Sequence, residues 1–157
     1  MLLALLTDMI HLRPFAPDAV GKLVGLPVYP IAAESNVYFT VYRSSASATN
    51  QFFSSLEIRT PTENNRGKGG MVIAEIGPKD VKFAEIISYF GKPATRDRGS
   101  PHRLDSLIYY VYPQAWGTLK LGATKDLLYL RLIVLEAATD RSPAQEATGR
   151  SAQPTGK

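Results

Sequence analysis

Apolar residues recur along this chain with two different periods. Near the start, Leu2, Leu5, Leu6, Met9 and Ile10 fall at helical spacing. The apolar run Met1 to Leu6 meets Asp8 almost at once, and no Lys or Arg stands before it, so it reads as an N-terminal helix rather than an export signal. Val20, Leu23 and Val24 make a second, shorter stripe behind Pro14 and Pro17. Proline suits a first helical turn because its φ is already fixed and its missing N–H has no partner there. Gly25 and Pro27 end that stripe, the glycine as a left-handed cap and the proline as a stop. Alternation of apolar and polar positions then predicts strands over 36–42, 52–58 and 71–76. Pro78 opens a second cycle. Val81, Ala84, Ile87 and Phe90 share a helical face, Asp80 sits in the predicted first turn, and Gly91 with Pro93 closes the helix. Strands are predicted again over 106–112, 116–121 and 127–135.

The two cycles match in order and in punctuation. Gly25-Leu26-Pro27 corresponds to Gly91-Lys92-Pro93, residues 37–42 to 107–112, and residues 53–58 to 116–121. This predicts an α+β fold, a tandem repeat of a helix plus three antiparallel strands, with helices on one face of a roughly six-stranded antiparallel sheet. Residues 1–136 form one domain in this reading, with repeat one at about 14–76 and repeat two at about 77–136. From Ala137 the chain turns to Ala, Thr, Ser, Gln, Gly and Pro without periodic apolar residues, so 137–157 is expected to be a disordered tail.

A helix, a Gly-x-Pro stop and antiparallel strands with an aromatic pair, in tandem over residues 14–136, resemble the β-lactamase inhibitory protein fold. The single unit is similar to small outer-membrane-assembly lipoproteins, whose helix ends in the same Gly-x-Pro turn. The inhibitors' disulfides and the lipoproteins' lipidated cysteine have no counterpart, because this chain contains no cysteine. The resemblance implies a binding protein that grips its target with a concave, aromatic-rich sheet.

Side chains alternate between the faces of a sheet. The alternation separates Val37, Phe39, Val41, Leu107, Tyr109 and Val111 from Tyr38, Thr40, Tyr42, Ile108, Tyr110 and Tyr112. In the second strand of each cycle it separates Leu56, Ile58, Leu119 and Leu121 from Phe53, Ser55, Glu57, Trp116, Thr118 and Lys120. The mixed polar and aromatic sets suit a solvated face. Tyr38, Tyr42, Phe53, Tyr110, Tyr112 and Trp116 are therefore the candidate partner-binding residues on one open face, the competing reading being that these rings pack beneath the N-terminal helix or in a homodimer. The long loops 43–51 and 60–70 are expected to add partner-specific contacts.

Charge changes this picture little. A formal charge of +4 and a pI of about 9.4 admit nucleic acid as a partner, but the cations are scattered and point to ordinary surface solvation. Arg96, Arg98 and Arg103 with His102 make the densest basic loop, diluted by Asp97 and Asp105. No segment reaches the length of a membrane span. The lack of cysteine excludes disulfides and thiolate chemistry and leans slightly toward a reducing, cytoplasmic setting. His11 and His102 lie in different cycles without metal-ligand spacing. The Gly-Lys pairs at 67–68 and 91–92 lack phosphate-loop spacing, and no serine sits in a G-x-S-x-G elbow. The expectation is a non-catalytic protein-binding module, inhibitor-like or immunity-like, with no cofactor, no metal and no catalytic residue. The alternative is a basic nucleic-acid-binding protein.

Overall fold

In the computed structural model the described residues are 1–65, 67–98 and 106–139. Among them are nine strands: β1 (Val28–Pro30), β2 (Phe39–Ser44), β3 (Phe53–Pro61), β4 (Met71–Ile76), β5 (Val81–Lys82), β6 (Thr95–Arg98), β7 (Ile108–Gln114), β8 (Gly117–Ala123) and β9 (Tyr129–Ala137). All pair antiparallel in one sheet of order β1-β2-β3-β4-β9-β8-β7-β6, with β5 attached to β9. The six predicted strands are β2, β3, β4, β7, β8 and β9. The three additional ones carry no apolar alternation to announce them. β1 is Val-Tyr-Pro, β5 has two residues, and β6 is Thr-Arg-Asp-Arg, exposed throughout. β9 runs through Ala137, and the Ala138 N–H donates to the Trp116 carbonyl, so order extends slightly past residue 136. The rest of the predicted tail, from residue 140, lies outside the described residues.

Among the described residues three helices accompany the sheet: α1 (Leu2–His11), α2 (Pro17–Val24) and α3 (Phe83–Phe90). α1 buries Leu2, Leu6 and Met9. α2 begins on Pro17, carries Asp18 in its first turn and buries Val20, Gly21 and Val24. It ends at Gly25, whose φ of 75° is the left-handed conformation that only glycine takes without strain. α3 starts later than Pro78 suggests. Val81 and Lys82 stay extended because they pair with Leu130 and Tyr129 as β5, and the Phe83 N–H then donates to the Leu128 carbonyl. The buried face becomes Phe83 and Ile86, while Ala84 is exposed. Asp80 lies before the helix and pairs with Arg131 at 2.9 Å, and Glu85 takes the first-turn position.

Cross-strand register fixes which side of the sheet is covered. Tyr42, Ile58, Val72, Leu135, Leu119 and Tyr112 are successive partners across β2-β3-β4-β9-β8-β7. Leu56, Ala74, Ile133, Leu121 and Tyr110 make the next row. These side chains join Leu6, Met9, Val20, Val24, Phe83 and Ile86 in one apolar cluster. Full burial of each aliphatic or aromatic side chain contributes about 1.5–3 kcal/mol. β7 and β8 meet in a two-residue turn, Ala115-Trp116, after which Gly117 adopts a φ of 149°. A Cβ there would lie 1.9 Å from the Glu136 carbonyl oxygen, so only glycine fits.

Candidate binding surface

The predicted aromatic face divides into buried, half-buried and exposed members. Phe53 is 0% exposed, Tyr110 4% and Tyr112 5%. Strict alternation puts Phe53 with Ser55 and Glu57. A register shift between Phe53 and Ser55 turns it instead to the same side as Leu56. Tyr110 and Tyr112 pair with Leu121 and Leu119, so they share the covered side of the sheet. Tyr110 stacks edge-on against Phe83 at 4.9 Å between ring centres, and the Tyr112 hydroxyl donates to the Gly91 carbonyl at 2.9 Å. Burial, with the nearby Tyr110, pushes the Tyr112 phenol above its ordinary range against the opposing charge of Arg96. Tyr42 and Trp116 are half-buried against the cluster, and the Arg13 guanidinium lies 5.5 Å from the centre of the Trp116 ring. These five rings do not form an open face. They pack instead in or against the apolar cluster that also holds Leu6, Val20 and Phe83.

Tyr38 is different. It precedes β2 in a turn and is 57% exposed, with Val37 beside it at 61%. The backbone of this pair is held from several directions. The Tyr38 and Phe39 N–H groups both donate to Asn36 Oδ1, at 2.8 and 2.9 Å. The Tyr38 carbonyl accepts from the Thr62 N–H at 2.9 Å and from Asn65 Nδ2 at 3.2 Å. The Val37 carbonyl accepts from the Thr62 hydroxyl and from Asn64 Nδ2. Asn65 is itself buried. A short 3-10 turn, Glu63–Asn65, inside the predicted loop 60–70 thus clamps the Val37-Tyr38 tip. Alternation alone puts Val37 on the core side. The signal that could have corrected this is Asn36, whose short amide side chain favours a turn at the residues that follow it.

The other side of the sheet mixes paired charges with apolar side chains. Arg43, Glu57, Ile73, Val134, Lys120 and Val111 are successive partners along it. Arg43 binds both oxygens of Glu34, at 2.6 Å each, and Glu57 at 2.5 Å. Arg59 Nε lies 2.7 Å from Glu57, and Lys120 lies 2.8 Å from Glu136. Burial pushes the Glu57 carboxyl up, but hydrogen bonds from Arg43 and Arg59 together with their charges outweigh it and hold the group below the usual carboxylate range. The same bonds, from Glu57 first and then Glu34, raise the Arg43 guanidinium further.

Of the predicted basic loop, Arg96 and Arg98 lie on β6, both exposed. Arg103, His102 and Asp105 lie outside the described residues. The Arg96 guanidinium sits 4.7 Å over the Tyr110 ring. Among the described residues no group of three or more His, Asp and Glu side chains comes together as metal ligands, and no helix is long and apolar enough to cross a membrane. Comparisons with protein families, with curated proteins and with solved structures give no match.

Proposed function

We propose that this chain is a non-catalytic protein-binding module whose principal anchor is the Val37-Tyr38 tip. The observation that carries this reading is an exposed apolar and aromatic pair on a backbone clamped by Asn36, Thr62, Asn64 and Asn65. A rigid backbone lowers the entropy lost on binding. Tyrosine brings large area and a polar tip to an interface at low conformational cost. The adjacent loop 60–70 would frame the contact, whereas loop 43–51 lies at the other end of β2.

The architecture we infer is a duplication: α2 with β1 to β4, and α3 with β6 to β9. Two features support it. The strand order reads alike from either edge inward to the β4–β9 pair, and both helices stop at a glycine of positive φ, 75° at Gly25 and 74° at Gly91. Such a duplication would accord with the inhibitor-like fold expected from the Gly-x-Pro punctuation. The burial of Tyr110 and Tyr112 separates this proposal from the concave aromatic face of that expectation. Nucleic-acid binding is the weaker reading, because the ring next to Arg96 is buried and offers no platform on which a base could stack.

The test is comparative affinity capture from the source organism, using the chain and its Val37→Ala/Tyr38→Ala variant, with quantitative mass spectrometry. A partner held by the first and depleted at least tenfold with the second, at unchanged thermal stability, is the expected result. Identical capture by both proteins would remove the tip as an anchor.

A further inference from the structure

A second surface lies at the far edge of the sheet from Val37-Tyr38, and its chemistry differs. β6 is the terminal strand there, and among the described residues it pairs with β7 alone. All four of its residues are exposed. Its register sets Arg96 opposite Tyr110 and Arg98 opposite Ile108, so both guanidinium groups lie on the side of the sheet that bears the apolar cluster, while Thr95 and Asp97 lie on the other. Next to Arg96 a groove of about 470 Å³ opens between α3 and the sheet, lined by Phe83, Ile87, Lys92, Arg96, Tyr110 and Leu127. The opposite edge lacks this capacity. β1 has only three residues and ends on Pro30, which has no N–H to offer an incoming strand.

We infer that β6 accepts an extended acidic peptide as an added strand, with carboxylates at alternate positions facing Arg96 and Arg98 and an apolar side chain in the groove floored by Phe83 and Ile87. Main-chain pairing to a free edge supplies affinity that is independent of sequence, and pockets for alternate side chains supply the selection. The period-two spacing of Arg96 and Arg98 matches the period of a strand, so two carboxylates two residues apart meet both arginines at once. The arginines also keep the edge from pairing with a second copy of itself, since identical cations would be brought together. An acidic strand relieves that repulsion, which makes the edge selective rather than closed. Asp97 points to the other side and does not oppose the carboxylates.

Fluorescence anisotropy with a labelled Glu-Thr-Glu-Thr-Leu peptide and its reversed sequence tests this on the full chain. At least one order of residues is expected to bind, and its Kd is expected to rise tenfold or more with the Arg96→Ala/Arg98→Ala variant, with Lys in place of Glu in the peptide, or with N-methylation of alternate peptide amides. The Val37→Ala/Tyr38→Ala variant should bind the peptide as the parent chain does, so this surface and the proposed anchor can fail separately. No binding by either peptide would overturn the inference. So would binding that survives N-methylation, or an equally tight complex with a single-stranded oligonucleotide of matched charge, because each would reduce the edge to a simple polyanion contact.

Discussion

The Tyr110 ring lies edge-on against Phe83, and the Tyr112 hydroxyl reaches the Gly91 carbonyl, so both side chains of β7 are tied to α3 and its end. The periodicity places Tyr110 and Tyr112 together, and the structure keeps them together, but on the side paired with Leu119 and Leu121. A strand carries no mark of which side its neighbours will cover; the register does, and it arises between strands distant in sequence. Phe53 illustrates the complementary case, where one irregularity at Ser54 undoes the period. Because the Phe53 ring is fully buried, Phe53→Ala is expected to cost about 3–5 kcal/mol in urea unfolding, whereas a solvated ring would cost almost nothing. Glu57 gives a pH signature. Its carboxyl is held below the ordinary range, so its contribution is present above the unfolded-state pKa and fades as pH falls through the lowered folded-state value. Glu57→Gln should lower stability by about 1 kcal/mol near neutrality, since the partners are partly exposed and screened, and thermal melts of the two proteins should converge in acid. Tyr112 works in the opposite direction. Its raised phenol contributes below the ordinary tyrosine range and loses that contribution as pH rises beyond it.

Elements were legible where their period was strong. The six long strands and the stops at Gly25 and Gly91 follow from side-chain pattern and from backbone freedom. β1, β5 and β6 do not, because they are defined by hydrogen bonding to a neighbour rather than by anything in their own composition. β5 also shifted α3, since two residues drawn into the sheet cannot open a helix. The β7–β8 turn can be tested directly. Gly117→Ala places a methyl against the Glu136 carbonyl at a φ that L-residues avoid, so a loss of about 2 kcal/mol or more is expected in chemical denaturation. The Val37-Tyr38 tip is an element-scale feature as well. The alternation places Tyr38 on a solvent-facing side and it is exposed, but the exposure of Val37 beside it and the clamp from Thr62 and Asn65 depend on a loop more than twenty residues away. Asn65→Ala should loosen the tip and weaken partner capture while costing about 1 kcal/mol of stability, readable by hydrogen exchange at Phe39 and by melting.

At the scale of the molecule, the middle of the sheet is the pairing of β4 with β9, segments that begin at Met71 and Tyr129. β9 also carries β8 along its other side and holds β5 at its start. The chain therefore finishes its innermost strand after all the others, and native contacts span long stretches of sequence, which slows folding. While a ribosome is still making residues beyond Ala123, β4 has one flank without its partner, and that flank includes the Val72 and Ala74 backbone in an apolar strand. Newly made chains pass through an interval in which they are most prone to stick to one another, and a chain ending before Tyr129 should precipitate rather than unfold cooperatively, as light scattering during refolding would register.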